Sequence, residues 1–347
     1  MKKFSMTLFA KSVWLSCIVS SLVFIVCCDQ AMAQRRTTSI SNTTTPQATA
    51  KPTDQSGGKL TLTTPRNVLE QEAQKDNPEA LFYLAECYGF GLLGYPKDEK
   101  KAAELYQKGS QFADIDNPAA QSCRSRCYSE GYGEKQNIPE ALKWLRKAAA
   151  QEFAGAQSLL GELYSEGAGV PKNLTESTRW FRLAAEQGYA PAQHNLGLCY
   201  DDGGNETLNY TEAVNWYRKS AEQGWGNAQR NLGLAYIRGH GVRKDLAEAV
   251  KWFRKGAEQG HAPSQYELGV CYQHGESVRK NMAEAVKWYR KAAEQGYADA
   301  QFNLFACYFS GTGVPQNSTE AAKWLALAVE QGHEEALNVV RVLMGGK

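Results

Sequence analysis

Two short motifs combine residue types that carry chemistry in other proteins. Gly89 to Gly94 matches G-x-G-x-x-G, and Ser277 with Lys280 matches S-x-x-K. The first motif binds a dinucleotide only between a strand and a helix N-terminus, whereas here it follows a helical pattern. The second needs its Ser at the start of a helix with Lys one turn later, whereas here both lie in a predicted loop. Neither motif predicts catalysis.

The histidines give no metal-ligand pattern. They share no spacing typical of zinc ligands, and neither H-E-x-x-H nor G-x-S-x-G occurs. A nucleophile, a base and an orienting group also fail to converge in any motif. We therefore predict no metal site, no cofactor and no enzymatic activity. The five histidines are His194, His240, His261, His274 and His333.

Five of the nine cysteines share one slot, directly before a recurring tyrosine. Leu163 and Ala235 fill the same slot elsewhere, which predicts a small apolar core position. Equivalent positions of packed helices lie roughly 8–10 Å apart, and a disulfide needs Cα atoms within about 7 Å, so we predict no disulfide ladder. Cys123 and Cys127 favour two packed thiols, with metal binding or a strained bridge as alternatives. The five shared-slot cysteines are Cys87, Cys127, Cys199, Cys271 and Cys307.

The elements that position these residues form a repeat. A tryptophan recurs every 36 residues, and a tyrosine keeps the same step with a glycine three residues after it. Such a period is typical of stacked supersecondary units, none of which buries its apolar face alone. We count seven units from about 77 to 332, with covering helices at 66–75 and 334–344. The tryptophans are Trp144, Trp180, Trp216, Trp252, Trp288 and Trp324.

Each unit predicts two helices. In the first, Ala192, Leu196 and Tyr200 fall on one face, and Gly197 permits close approach of the neighbouring helix. The glycine after the tyrosine suits the left-handed position that ends a helix. The second helix starts at an Asn or Asp with Glu three residues later and stops at a glycine such as Gly188. The predicted N-caps are Asn137, Asn173, Asn209, Asp245, Asn281 and Asn317.

These motifs resemble the Sel-one-like repeat family, which is related to the tetratricopeptide repeat. The best match runs from Ala228 to Gly260, and the resemblance covers about 270 residues. It implies an all-α, right-handed α/α superhelical solenoid and a role as an adaptor or assembly scaffold. In bacterial relatives it also implies secreted or periplasmic work, including host contact and envelope polysaccharide assembly. Arg124, Ser125 and Phe305 depart from the pattern, so the second and seventh units are expected to pack differently.

The N-terminal residues predict export. A basic start, an almost wholly apolar segment of 16 residues from Val13 to Cys28 and Ala31-Met32-Ala33 indicate a signal peptide over 1–33. An uncleaved anchor and lipidation at Cys27 or Cys28 are the alternatives. Residues 34–64, rich in Thr, Ser and Pro, predict a disordered tether, and 65–347 hold the solenoid. We expect a periplasmic or secreted protein without stable membrane insertion after cleavage.

The predicted binding surface is the face of the first helices whose residues vary between units. In helical-pair solenoids this face lines a concave groove, where we expect a protein or peptide partner, and Tyr266, Phe302 and Phe309 are expected to be exposed there as aromatic anchors. A balanced net charge of +2 predicts no nucleic-acid binding. The predicted contact residues are His194, Leu198, Arg230, Leu234, Ile237, Tyr266, Gln273, Phe302 and Phe309.

The expected function is thus a non-catalytic exported scaffold. An envelope hydrolase or β-lactam-binding protein, like some cysteine-rich relatives, is one alternative, and a scaffold for envelope polysaccharide assembly is the other.

A further expectation concerns the second helices. Arg182, Arg218, Arg254 and Arg290 each precede a Glu by four residues, a spacing typical of solvated ion pairs.

Overall fold

A computed structural model describes residues 60–62, 64–91, 95–114, 116–203 and 208–343, with the side chain of residue 343 excluded. Over these residues the chain forms sixteen α-helices and no strand. The predicted signal peptide and almost all of the predicted tether lie outside the described residues. No helix within the described ranges is long and apolar enough to span a membrane.

The helices follow one another in pairs, which confirms the all-α solenoid, and helices also occur at the two positions where covering helices were predicted. Gly91, Gly131, Gly167, Gly203, Gly239 and Gly275 end first helices in the left-handed conformation. The helices are α1 Arg66–Gln74, α2 Pro78–Phe90, α3 Glu99–Ser110, α4 Pro118–Glu130, α5 Ile138–Ala150, α6 Ala154–Glu166, α7 Leu174–Glu186, α8 Ala190–Asp202, α9 Tyr210–Glu222, α10 Gly226–Arg238, α11 Leu246–Glu258, α12 Ala262–His274, α13 Met282–Glu294, α14 Ala298–Ser310, α15 Ser318–Glu330 and α16 Glu334–Leu343.

The chain divides into two compact units. The larger unit ends at Tyr297, and the smaller unit includes the residues from Ala298 onward. In the larger unit the second helix of each pair packs on the first helix of the next pair. First helices of neighbouring pairs also contact each other, as α2 does α4, α4 does α6 and α10 does α12.

The second helices begin as predicted. The side chain of each expected N-cap accepts from the backbone N–H three residues on, as Asn209 does from Glu212 at 3.1 Å. The same bond occurs at Asn137, Asn173, Asp245, Asn281 and Asn317. These caps satisfy N–H groups that a helix leaves unpaired, so nearby residues determine where each second helix starts.

A ladder of glutamine side chains joins successive helix pairs inside the larger unit. The buried Gln193 of α8 accepts from Gln223, which follows α9, at 2.7 Å and donates to the Ala185 carbonyl of α7 at 3.1 Å. The carbonyl belongs to the preceding pair, so one amide bonds within its own pair and to the pair before it. Gln229 and Gln265 make the same two contacts.

Two expectations about side chains need correction. Leu62, placed in the tether, is 7% exposed and packs in the core, so packing begins before residue 65. Arg218 makes no ion pair with Glu222 in the described part of the chain. It donates to the Tyr236 hydroxyl of the next pair at 2.9 Å, so this arginine joins successive pairs.

Candidate functional site

A cavity of about 480 Å³ opens between the first helices of the larger unit, a size typical of ligand pockets, which span roughly 300–1,000 Å³. Five helices or their ends contribute to its wall: α2, α6, α7, α8 and the start of α10. The lining residues include Glu86, Phe90, Ser158, Glu162, Glu166, Tyr189, His194, Asn195, Leu198, Asp202, Trp225 and Asn227.

A buried carboxylate lines this cavity. Glu86, only 2% exposed, accepts hydrogen bonds from the Tyr106 hydroxyl and, at 3.5 Å, from the Tyr189 hydroxyl. Arg126 Nη2 lies 3.7 Å from Glu86 Oε1. Burial of a carboxylate is costly unless it is paired and hydrogen-bonded, and Glu86 has both kinds of partner.

A second carboxylate, Glu162, lies on the next first helix of the wall. It accepts from Asn195 Nδ2 at 3.4 Å and keeps some exposure to the cavity. Burial raises the pKa of Glu162 to about 7, with Arg126 acting in the opposite direction and Glu86 in the same one. The carboxyl therefore titrates near neutral pH.

Two buried polar atoms of the wall have no hydrogen-bond partner within the described residues. They are Ser158 Oγ and Trp225 Nε1, and these residues are 1% and 8% exposed. Buried polar groups without a partner are rare in folded proteins and each calls for an explanation. Both atoms belong to residues that line the cavity.

An aromatic pair borders the cavity. Phe90 is 51% exposed, and its ring meets that of Trp225 edge-on with centroids 5.8 Å apart. Phe90 is the last residue of α2, and Trp225 directly precedes α10. Large exposed aromatic side chains are good anchors for a partner.

His194 was expected on an open surface and is instead buried in the wall, only 7% exposed. Nδ1 lies 3.2 Å from Asn195 Oδ1, and Nε2 lies 3.2 Å from Asn231 Nδ2. Burial lowers the pKa of His194 to about 4, so the imidazole is neutral at pH 7. Leu198, one turn further along α8, is half-buried and also lines the cavity.

The other predicted contact residues of the larger unit lie outside this cavity, and all are half-buried. Arg230 donates to Glu267 Oε1 at 2.6 and 3.0 Å. Gln273 accepts from the Tyr289 hydroxyl at 2.9 Å. Leu234 lines a much smaller cavity of about 30 Å³, and Ile237 packs against the core around Phe253.

The expected exposed aromatics are also packed. Tyr266 is half-buried, with ring centroids 5.7 Å from Tyr289 and 5.4 Å from Tyr297. In the unit that begins at Ala298, Phe302 stacks on His333 at 4.8 Å, and Phe309 lies 5.7 Å from Phe305. The prediction of exposure is therefore wrong for these three. Each of these aromatic rings contacts a second ring, either on the same helix or about 31 residues later in the chain. The second ring covers part of the surface of the first.

The structure describes only one of the two short motifs completely. Ser277 lies in the loop between α12 and α13, four residues before the N-cap Asn281, and not at a helix start. Residues 92–94, the second half of the glycine motif, lie outside the described residues. Among the described residues no group of three or more His, Cys, Asp or Glu could hold a metal ion. The six cysteines there are free, and Cys123 and Cys127 are both buried, which confirms two packed thiols.

The repeated helix pairs, their caps and the inner row of first helices define a helical-repeat protein. The chain belongs to the Sel1 repeat family, whose members are typically protein-interaction scaffolds. Seven segments match that family and cover most of the chain: 78–111, 120–153, 154–189, 190–225, 226–261, 262–297 and 298–333.

Two solved structures resemble this chain. A Sel1 repeat protein from Oxalobacter formigenes is 35% identical with a TM-score of 0.61, over 65% of this chain and 92% of that chain. A protective antigen present in uropathogenic Escherichia coli strains, which displays an SLR fold, is 33% identical with a TM-score of 0.54, over 82% of this chain and 61% of that one. Both similarities support the repeat fold.

A curated relative shares a shorter stretch. Chitin synthase regulatory factor 2 of Schizosaccharomyces pombe is 37% identical over 78 residues, which is 22% of this chain and 15% of that protein. Because the match spans so little of that relative, it supports the repeat and not the relative's regulatory role.

Proposed function

We propose that this protein is a non-catalytic, exported scaffold that binds a protein or peptide partner on the row of first helices in the larger unit. The supporting observation is the cavity whose wall holds the unpartnered Ser158 Oγ and Trp225 Nε1. The membership in the Sel1 repeat family supports the same function, because extended surfaces of stacked helix pairs are used for binding.

The contact residues proposed for this face are His194, Leu198, Arg230, Leu234, Ile237, Tyr266 and Gln273. Phe302 and Phe309 belong to the unit that begins at Ala298, and the proposal does not depend on them. Leu198 is the most direct probe, because it lines the cavity and is only half-buried. A charged side chain there would meet the partner without replacing a fully buried residue.

The test is capture of a partner by the whole chain, followed by titration of the purified partner. Leu198→Lys should weaken binding at least tenfold, since a charge in an apolar contact costs more than about 1.4 kcal/mol. Leu183→Lys is the matched control, because Leu183 lies on the second helix α7 and is already 37% exposed. Both variants must keep the helical circular dichroism of the native chain.

The outcomes separate clearly. Loss of the partner with Leu198→Lys and retention with Leu183→Lys would support binding on the first helices. Equal binding by both variants would move the site elsewhere, and failure to capture any partner from envelope and culture fluid would contradict the scaffold function. Export itself is a separate part of the proposal and has its own test below.

A further inference from the structure

The charge of the cavity indicates what kind of partner group fits it. Glu86, Glu162, Glu166 and Asp202 line it, and no lysine or arginine is among its described lining residues. His194 is the basic side chain of the wall, and burial holds its pKa at about 4. At neutral pH the cavity therefore carries carboxylates without a matching cation of its own.

One guanidinium just outside the lining compensates only part of this charge. Arg126 lies 3.7 Å from Glu86, and its Nε has no hydrogen-bond partner among the described residues. Glu162 has an amide, Asn195, as its hydrogen-bond donor and not a cation. Two inner carboxylates thus face one arginine, which leaves a favourable position for a second cation.

The remaining wall atoms are complementary to a peptide. An indole N–H only donates, so Trp225 Nε1 needs an acceptor such as a backbone carbonyl. Ser158 Oγ accepts or donates, and a peptide N–H or carbonyl satisfies it. The exposed ring of Phe90 also lines the cavity, and aromatic rings attract cations at their faces.

We propose that the cavity binds the side chain of an arginine or lysine carried by an extended peptide segment of the partner. Glu162 and Glu86 receive the charge, and Trp225 donates to a carbonyl of the same segment. This inference rests on the proposed function, since it names the chemistry of the partner that the first helices bind. It excludes an acidic segment, which the carboxylates would repel.

The site predicts that binding depends on pH. Arg126 on α4 and the Asn195 amide on α8 favour the ionised form of Glu162, whereas Glu86 on α2 and Glu166 on α6 oppose it. A bound cation adds to the favourable side, so binding releases a proton wherever Glu162 is protonated in the free protein. Affinity should therefore fall as pH drops below 7, approaching about tenfold per pH unit for one released proton.

The experiment uses the full chain and pools of capped pentapeptides with a fixed central residue and random flanks. The centre is Arg, Lys, citrulline or Glu, and citrulline keeps the shape of arginine without its charge. Binding is measured by fluorescence anisotropy at pH 8 and pH 6. The Arg or Lys pool should bind at least tenfold more tightly than the citrulline pool at pH 8 and lose most of that advantage at pH 6.

Three variants locate the effect. Glu162→Gln should abolish the preference for the charged centre, and it keeps the shape and burial of the side chain. Trp225→Phe should weaken all pools similarly, because it removes a donor to the backbone and not the charge. Glu222→Gln is the control that should change nothing, because Glu222 is exposed at the end of the second helix α9.

Several results would overturn the inference. These are equal binding of the Arg and citrulline pools, preference for the Glu centre, a preference that survives Glu162→Gln, or no binding by any pool. If a captured partner still depends on Leu198 in any of these cases, the scaffold function stands and only the basic-peptide site is wrong. Loss of both would contradict the two proposals together.

Discussion

The ring of Tyr217 occupies the space that Gly197 leaves by having no side chain. A Cβ on Gly197 would lie 2.6 Å from two ring carbons of Tyr217, closer than packed atoms tolerate. Gly161 with Phe181 and Gly269 with Tyr289 repeat this relationship. Close approach of the two helices of a pair therefore explains why glycine recurs inside a first helix, where it costs about 1 kcal/mol relative to alanine.

Gly197→Ala should destabilise the protein by about 1–3 kcal/mol, because the added methyl overpacks the contact with Tyr217. The measurement is urea denaturation followed by circular dichroism. Gly89→Ala is the matched control within a helix, since its Cβ would meet only Ala102 at 3.8 Å, and it should be neutral or slightly stabilising.

Relief of the same clash should restore stability. In the second repeat, Ser125 occupies the position equivalent to Gly197, and Leu145 occupies the position equivalent to Tyr217. A smaller residue on the second helix therefore accommodates a larger one on the first. The double variant Gly197→Ala, Tyr217→Leu should therefore be less destabilised than the sum of its single variants. Additive losses would show that the ring is not the cause.

The glutamine ladder gives a second stability prediction. Gln193→Ala should cost about 1–3 kcal/mol, because it removes two hydrogen bonds, one to the Ala185 carbonyl and one from the Gln223 amide, each of which contributes about 0.5–1.5 kcal/mol. Gln136 also donates to a carbonyl, that of Ser129 at 2.8 Å, but both groups are exposed, and water replaces it. Gln136→Ala should change the denaturation midpoint little, and an equal loss in both variants would argue against the ladder.

The fold follows from residues close together in the chain. Asn209 and Glu212 fix a helix start, and Gly203 in the left-handed conformation ends the helix before it, so the sequence predicts both elements. Contacts such as Tyr189 with Glu86 join residues 103 apart. They depend on the rotation from each pair of helices to the next, and a 36-residue spacing does not define that angle.

The candidate site was likewise predictable from the sequence only in part. Ser158 and Glu162 occupy the slots of His194 and Leu198 in another unit, and all four line the cavity, so variation between units marked part of the site. Phe90 and Trp225 were missed because each lies outside those slots, at the end or the start of a first helix. The packed state of Tyr266 was missed because its partner Tyr297 lies 31 residues further along the chain, after the next helix.

Burial of His194 predicts sensitivity to acid. Its pKa is lowered from 6.5 to about 4 in the folded protein, so the unfolded chain binds more protons between these values. The contribution of His194 to stability is present above pH 6.5 and is lost as pH falls toward 4, at up to about 1.4 kcal/mol per pH unit. His194→Gln should flatten this part of the stability profile.

The control for this prediction is His240→Gln. His240 stacks on Tyr210 with centroids 4.3 Å apart but is only half-buried. If both variants lose acid sensitivity equally, burial of His194 is not its source. Glu162 changes the free energy of unfolding in the opposite direction. Its raised pKa makes the folded protein less stable as pH rises from about 4.5 to 7. The effect of His194 is therefore best measured in a Glu162→Gln background.

Export is tested by the N-terminus of the secreted chain. The largely apolar segment from Val13 to Cys28 has 16 residues, which is short for a span that needs roughly 20, and Ala31 and Ala33 suit a signal peptidase. The full chain with a C-terminal tag, expressed in a bacterial host, should leave the cytoplasm and begin at Gln34 by mass spectrometry. Ala33→Arg should leave the uncleaved precursor in the membrane fraction.

A cysteine variant separates cleavage after Ala33 from lipidation. Cys27→Ala with Cys28→Ala leaves the apolar segment and both small residues intact, so processing at Gln34 should continue unchanged. Lipidation would instead require one of these thiols, and the double variant would then lose processing and membrane attachment together. Cleavage in the native chain and in the cysteine variant, with its loss in Ala33→Arg, would place the scaffold outside the cytoplasm, where an exported or foreign peptide with a basic side chain would reach the cavity.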